Sequence, residues 1–270
     1  MITDTEGIIL RQVKTVGGRR MLLLFSRRYG KISVGTSIAE GGRNKSALAT
    51  RPFTYGRYEL FKGRDSYNLN SAQVLKSYYG LGENIDKYMA ASYVLELTER
   101  LLTEELPQPA VFKLLLEFMQ ELEARTRKHD TLVLAYMVKL LAALGTMPEL
   151  DGCACCGSRE IGSCFSVSEG GMLCDSCARS IEEGQDLREG RQIQKTLKTQ
   201  APATKEALIY SVNFGIVDIL KYFRKEPMSA FAQIALDDGI AAQLRGIIRS
   251  YIGYHFDIGK LKSEGFLLGE

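Results

Sequence analysis

Six cysteines lie within one stretch of 25 residues, CACCGSREIGSCFSVSEGGMLCDSC, which runs from Cys153 to Cys177. Cys153 and Cys156 form one C-x-x-C pair, Cys174 and Cys177 form a second, and 17 residues separate the two pairs. This spacing is that of a four-thiolate zinc site. Each pair brings two sulfurs to one ion from a tight turn, and four sulfurs complete the tetrahedron of a structural zinc. The sequence therefore predicts one structural Zn²⁺ with these four cysteines as its ligands.

The same stretch bears on whether the chain has catalytic chemistry. Cys155 and Cys164 are not expected to be ligands, although Cys155 competes with Cys156 for the first corner of the site. Four thiolates leave no open position at which zinc could activate a water molecule. The chain also has no G-x-x-x-x-G-K-[ST], no H-E-x-x-H and no H-x-E before a C-x-x-C, which are signatures of P-loop ATPases and catalytic zinc sites. We expect a protein that is not an enzyme.

Cellular location follows from the cysteines and from the first residues. MITDTEGIIL has no basic segment followed by an apolar run, so no secretory signal is expected. No apolar run approaches the roughly 20 residues of a membrane helix. Clustered thiols with metal spacing are typical of a reducing compartment. We expect a cytoplasmic, nucleoid-associated protein that does not contact a membrane.

The net charge of +3 hides a strong asymmetry along the chain. Residues 1–80 contain 14 Lys/Arg and 5 Asp/Glu, and the remaining 190 residues contain 21 and 27. Such a basic segment indicates a polyanion partner, and the acidic remainder suits protein partners. A surface made only for solubility usually mixes both signs. The candidate DNA-binding residues are Arg11, Lys14, Arg19, Arg20, Arg27, Arg28, Lys31, Arg43, Lys45, Arg51 and Arg57. Aromatic residues lie between these basic residues, and of them Phe25 and Tyr58 are assigned to the core of residues 1–80.

The first 70 residues are typical of a small β-barrel. Five β-rich runs at 7–13, 21–26, 31–37, 55–61 and 66–70 are separated by glycine-containing turns. An OB-fold and an SH3-like barrel fit this pattern about equally well. Residues 41–58 are the best candidate for a long loop, and from Ser71 the apolar period is expected to change from strand to helix.

Helices are predicted over the rest of the chain. The apolar pattern indicates helices at about 84–104, 111–122, 130–144, 208–223 and 240–252, with Asp130 as the N-cap of the third and His129 exposed. The predicted fold class is α+β. Its parts are an N-terminal barrel (1–80), a helical domain (81–150 and 181–270) and a zinc-binding insert between its two halves (151–180).

The order of these parts resembles the RecO family of bacterial recombination mediators over essentially the full length. The segments that carry the resemblance are EGIILRQ (6–12), LLLFSRRYGKISV (22–34), RNKSALATRPFTYGRYELFKGRDSYNLNSAQ (43–73), CACCG with CDSC, and YIGYHFDIGKLKSEGFL near the end. Two places depart from the family's pattern. Many members have an acidic residue after the glycine near position 17, where this chain has VGGRRM, and the linker AEGGRNKS is less basic than usual.

The resemblance implies an OB-fold, a helical carboxy-terminal domain and a zinc-finger-like insert with Cys153, Cys156, Cys174 and Cys177 as ligands. It also implies a function in the RecF pathway of DNA repair. The family binds single- and double-stranded DNA, anneals complementary strands, and with RecR helps to load RecA onto single strands coated by SSB, whose C-terminal tail is a further partner. The basic barrel residues carry over only as a group, since the family has no short DNA-reading motif.

Three other readings fit parts of the sequence. A zinc-ribbon RNA-binding or transcription factor would contact nucleic acid through the cysteine segment, but between Cys153 and Cys177 only Arg159 is cationic, against three acidic residues. A metal-dependent enzyme would require an open coordination position. A purely structural adaptor would not bind DNA.

Overall fold

The computed structural model describes residues 2–14, 20–38, 45–64, 66–183, 209–212 and 214–265. The chain divides into two compact units. The described residues of 1–143, 228–235 and 260–270 form unit 1, and those of 144–227 and 236–259 form unit 2. The barrel and the first helices thus belong to one unit, whereas the sequence motifs suggested a boundary at residue 80. The α+β class is confirmed.

Five strands close into a barrel in unit 1. They are β1 Ile2–Lys14, β2 Arg20–Ser26, β3 Gly30–Thr36, β4 Thr54–Lys62 and β5 Tyr67–Ser77, with the short helix α1 Lys45–Ala49 between β3 and β4. Their order around the barrel is β1-β2-β3-β5-β4, all neighbours are antiparallel except β3 and β5, and β1 pairs with both β2 and β4. This five-stranded Greek-key arrangement is the OB-fold, which resolves the choice that the sequence pattern left open.

The long strand β1 closes the barrel because it bends. A register shift between Ile9 and Arg11 lets its first half pair with β4 and its second half with β2. The barrel core is apolar, and Tyr58 lies in it with a hydroxyl that donates to the Ala49 carbonyl at 2.8 Å and so fixes α1 to the barrel. Phe25 is also fully buried, so the assignment of both aromatic residues to packing is confirmed.

Three helices complete unit 1: α2 Ile85–Leu101, α3 Pro109–Ala124 and α4 His129–Ala143. The Asn84 side chain caps α2 by accepting from the Lys87 N–H at 3.0 Å. Helix α4 is apolar on nearly all sides and is largely buried. Short 3₁₀ turns at Tyr79–Glu83 and Met228–Phe231 belong to the same unit.

Unit 2 is built on a small sheet and three helices. Its strands are β6 Cys164–Ser166, β7 Gly171–Leu173 and β8 Ile209–Ser211 in the order β7-β6-β8, and its helices are α5 Asp175–Glu182, α6 Phe214–Lys225 and α7 Asp238–Phe256. Near the end of α7, His255 packs on Tyr251 with ring centroids 4.3 Å apart and its Nε2 lies 2.8 Å from the Val167 carbonyl oxygen. His255 therefore packs within unit 2.

Two elements differ from the sequence predictions because their pairing is long-range. Strand β5 continues to Ser77 instead of ending near residue 70, since residues 71–77 pair with Thr54–Glu59 of β4. Residues 209–211 form a strand that pairs with β6, and the helix predicted from Leu208 begins only at Phe214. Leu208 itself lies outside the described residues.

Three local predictions were also wrong. Of the proposed loop 41–58, residues 45–49 are helical and residues from Thr54 belong to β4, while 39–44 lie outside the described residues. Asp130 lies inside the first turn of α4 and is not the N-cap. Its negative charge interacts favourably with the positive end of the helix dipole. His129 is buried, not exposed, and burial lowers the pKa of its imidazole.

Within the described part of the chain, no helix combines the length and the apolar character needed to cross a membrane.

Candidate metal centre and nucleic-acid interface

The first cysteine pair lies on a tight turn whose shape is set by backbone hydrogen bonds. The Cys153 N–H donates to the Ser158 carbonyl at 2.7 Å, and the Gly157 N–H donates to the Cys153 carbonyl at 2.8 Å. Gly157 has a φ of +76°, a conformation that glycine adopts without the steric cost of a Cβ. The turn therefore holds Cys153 and Cys156 on the same side of the chain.

The second pair lies where the hairpin of β6 and β7 runs into α5. Cys174 is the N-cap residue of α5, and Cys177 follows within its first turn. The positive end of a helix dipole favours thiolates at this place. A Cβ at Gly162 would meet the Asp175 carboxylate, so any larger residue there would require the Asp175 side chain to move.

The four sulfurs converge as the spacing predicted. The Sγ atoms of Cys153, Cys156, Cys174 and Cys177 all lie within 4.8 Å of one another, and those of Cys156 and Cys174 are 3.7 Å apart. A tetrahedron with Zn–S bonds of about 2.3 Å has edges of about 3.8 Å. The donor set and its size therefore fit a four-thiolate metal ion. Cys155 and Cys164 lie outside this cluster.

The pKa values of the clustered thiols are shifted in opposite directions. The Ser176 hydroxyl, 3.1 Å from the Cys174 Sγ, together with backbone N–H groups lowers the pKa of Cys174 to about 6. Burial would raise the pKa of Cys153, but backbone N–H donors outweigh it and lower the value. Burial and the neighbouring sulfurs raise the pKa of Cys177. The thiols of Cys153 and Cys174 therefore ionise more readily than an ordinary cysteine, and the thiol of Cys177 ionises less readily. A divalent cation bound among the four sulfurs would favour the thiolate form of each.

Two contacts near the cluster were not predicted from the sequence. The Ser176 hydroxyl is one, although a Ser between two ligating cysteines is a visible signal. The other is Asp151, whose carboxylate lies 2.9 Å from Lys221 Nζ and 3.2 Å from Arg224 Nη2 of α6. The hydrogen bond from Lys221 lowers the pKa of the Asp151 carboxyl, and the hydrogen bond from Arg224 adds a smaller lowering. These ion pairs attach α6 to the residue just before the first cysteine turn.

The candidate DNA-binding residues divide into two groups by position. Arg20 is 7% exposed and donates to the carbonyl of Ile38 and the side chain of Gln12, so its burial argues against direct contact with DNA. Arg11 pairs with Glu99 of α2 at 2.7 Å, and Lys31 donates to the Glu99 carbonyl at 2.8 Å. Arg20 thus contacts residues of the barrel unit, and Arg11 and Lys31 contact α2.

The second group is exposed at one side of the barrel. Arg27 and Arg28 lie on the turn between β2 and β3, and Arg57 lies on β4. Arg27 and Arg57 flank a single acid, Glu6 of β1, at 3.3 and 4.0 Å. We call Arg27, Arg28 and Arg57 the arginine edge. It carries a net positive charge and faces solvent.

Of the five remaining candidates, the structure describes the side chains of two. Lys14 is exposed at the end of β1, and the Arg51 guanidinium carbon lies 5.9 Å from the ring centre of Tyr79. Arg19 and Arg43 lie outside the described residues. Lys45 begins α1, but its side chain is not described.

The outer side of β2 is covered. Leu23 and Phe25 of β2 are both buried, and the Phe25 ring meets Phe112 of α3 edge to face with centroids 5.4 Å apart. OB-folds commonly bind nucleic acid on the face of strands 2 and 3. Helix α3 covers this part of β2, and exposed arginines lie on the β2–β3 turn and on β4.

The class of protein is defined by two features, an OB-fold joined to helices in one unit and a second unit whose four-thiolate cluster could hold a metal ion. The chain belongs to the RecO family. The family model "Recombination protein O N terminal" matches residues 1–78, and "Recombination protein O C terminal" matches residues 82–191. RecO proteins take part in DNA repair and recombination.

Similar proteins support the same assignment over most of the chain. The DNA repair protein RecO of Alkaliphilus metalliredigens is 28% identical over 261 residues, which cover 95% of each chain. That of Exiguobacterium sibiricum is 34% identical over 191 residues, 70% of this chain and 76% of the relative. That of Bacillus subtilis is 30% identical over 177 residues, 66% of this chain and 69% of the relative.

Proposed function

We propose that this protein is a non-catalytic mediator of DNA repair that binds single- and double-stranded DNA and anneals complementary strands. The observation that carries the proposal is the solvent-exposed arginine edge on an OB-fold barrel. Long cationic side chains clustered on one side of a barrel neutralise phosphates and release their counterions. A surface that screens two strands at once lowers their mutual repulsion, and base pairing then joins the strands.

Membership in the RecO family suggests the partners. In the proposed pathway the protein acts in the cytoplasm with RecR, contacts the C-terminal tail of SSB, and helps to place RecA on single strands that SSB coats. The charge distribution supports DNA binding by the barrel and protein binding by the rest of the chain. The surplus of basic residues is confined to residues 1–80, and the remaining residues have more acidic than basic side chains. Acidic and apolar helical surfaces are suited to protein partners.

The metal centre has a structural role in this proposal. Zn²⁺ held by Cys153, Cys156, Cys174 and Cys177 would join the two cysteine turns, around which only a small apolar cluster is buried. Glu160, Glu169 and Asp175 lie in this segment with Arg159 as its single cation, so phosphates are repelled from it. A role as a zinc-ribbon that reads nucleic acid is therefore disfavoured.

Strand annealing tests the proposal directly. We expect the full-length variant Arg27→Gln/Arg28→Gln/Arg57→Gln to anneal complementary oligonucleotides at least about 10-fold more slowly than the natural protein, because three phosphate contacts are lost. The measurement is the rate of fluorescence quenching between labelled strands at low salt.

A second triple variant controls for net charge. Lys113→Gln/Arg127→Gln/Arg159→Gln removes the same three charges from exposed positions outside the barrel. It should anneal at close to the natural rate. Equal rates for the natural protein and the arginine-edge variant would refute the proposed mechanism.

A further inference from the structure

A large cleft in unit 1 lies outside the arginine edge. It has a volume of about 1190 Å³ and lies between β1, the 3₁₀ turn at Tyr79–Glu83 and helix α2. Ordinary small-molecule pockets occupy roughly 300–1,000 Å³. The cleft is therefore large enough for more than one planar group.

Exposed aromatic rings line this cleft. Tyr79 is 65% exposed and Tyr88 is 45% exposed, although apolar rings of this size are usually covered in a folded domain. The Arg51 guanidinium lies over the Tyr79 ring, with its central carbon 5.9 Å from the ring centre. Arginine and tyrosine planes in this arrangement offer flat surfaces to a third flat group.

The ring of Tyr88 is held in place at a backbone cost. Phe53 meets it edge to face with centroids 5.6 Å apart. Phe53 has a φ of +63°, in the left-handed region, which costs a bulky residue about 1–2 kcal/mol. The Phe53 carbonyl accepts from the Tyr78 N–H at 3.0 Å, which fixes this conformation. Strain of this kind is found where a side chain must be placed for binding.

The charges of the cleft select a largely neutral ligand. Four cations, Arg11, Arg51, Arg100 and Lys262, alternate with three carboxylates, Glu83, Glu96 and Glu99. Glu99 already pairs with Arg11, and Glu96 accepts from the Lys262 and Ser263 backbone N–H groups. An acidic peptide would bring its carboxylates against these three glutamates. A nucleobase is uncharged, and its amino and imino N–H groups are donors for carboxylates.

From these contacts we infer that the cleft is a single-stranded DNA subsite in which bases stack on Tyr79 and Tyr88 while Arg51 meets the adjoining phosphate. This inference rests on the proposed binding of DNA and adds to it the place where unpaired bases are held. Stacking of this kind accepts any base, because every base has a π-face. Duplex DNA, with its bases paired and stacked, cannot enter in the same way.

The test compares Tyr79→Ala with the natural full-length protein. We expect its affinity for a mixed-sequence single strand to fall about 5- to 150-fold, the effect of about 1–3 kcal/mol per stacked base, with the salt dependence unchanged. Tyr79→Phe keeps the ring and should bind as the natural protein does. Tyr254→Ala removes an exposed tyrosine of unit 2 and is the matched control. Fluorescence anisotropy measures each affinity.

A strand made of abasic residues separates stacking from charge. It has the same phosphates without bases, so Tyr79→Ala should leave its affinity unchanged. Equal single-strand affinities of Tyr79→Ala and the natural protein, or an equal loss on the abasic strand, would overturn the inference. So would a variant that keeps its DNA affinity but no longer binds an SSB tail peptide, since the cleft would then be a peptide site. Failure of the natural protein to bind any DNA would instead refute the proposed function.

Discussion

Replacing both Cys174 and Cys177 by serine is expected to abolish metal binding and unfold unit 2. A structural zinc site contributes on the order of 10 kcal/mol or more of folding free energy, which exceeds the whole stability of most domains. The core around the cysteines is small: besides the sulfurs its buried members are Leu173 and Ala178. We expect the double variant to contain no zinc, to be readily proteolysed between residues 144 and 227, and to be poorly soluble.

The control for this experiment is Cys164→Ser, which removes a cysteine outside the cluster and should retain one zinc per chain. Metal content, limited proteolysis and DNA binding are measured on each purified protein. The affinity for DNA per folded molecule should change by less than about twofold in the double variant, because its phosphate contacts are on the barrel. A soluble, fully folded double variant that fails only in DNA binding would assign the metal centre to the nucleic-acid interface.

Replacing Arg125 by alanine is expected to lower the free energy of unfolding by about 3–5 kcal/mol, which is typical when a buried charge network loses one member. Arg125 follows α3 and is 6% exposed. Its Nε donates to the carbonyls of Arg127 and Lys128 at 2.9 and 3.0 Å. Its two terminal nitrogens donate to the carbonyls of Phe231, Ala232 and Ile234. One guanidinium thus attaches residues 228–235 to the α3–α4 turn.

The loss has a clear physical source. Alanine would leave several carbonyl oxygens without a donor, and each buried unpaired group costs about 1–3 kcal/mol. Burial lowers the pKa of Arg125, but arginine stays charged in proteins. Arg125→Lys should recover only part of the stability, because an ammonium group lacks the planar fork. Arg127→Ala, at an exposed neighbour, should change stability by less than about 0.5 kcal/mol. Urea unfolding measures all three, and a loss below about 1 kcal/mol in Arg125→Ala would contradict this role.

The features that the sequence predicted are local ones. The cysteine spacing specified the metal cluster because each pair needs only its own tight turn. Strands β1 to β4 and helices α2 to α4 were found because each shows its own apolar period. The surplus of basic residues located the charge of the barrel, but not which side chains face solvent.

The features that the sequence did not predict depend on distant parts of the chain. Residues 71–77 became a strand because β4 pairs with them, and residues 209–211 became a strand because β6 does. Arg125 lies in the polar segment RTRKHD, where nothing indicates that carbonyls a hundred residues later surround it. The apolar pattern of residues 84–104 predicted α2, but it does not indicate that Tyr88 is exposed beside the cleft.

The dependence of single-strand affinity on salt tests most directly the central claim that exposed arginines of the barrel bind DNA through its phosphates. We measure the dissociation constant by anisotropy between about 50 and 200 mM salt for the natural protein, the arginine-edge variant and its matched control. For the natural protein, log K should fall linearly with log salt. The arginine-edge variant should have a slope smaller by about 2, at about 0.7 per phosphate contact on a single strand.

The control variant, which loses three charges elsewhere, should have the natural slope. A natural protein whose affinity does not change with salt, or two triple variants with the same slope, would contradict the claim that the barrel binds DNA through these residues.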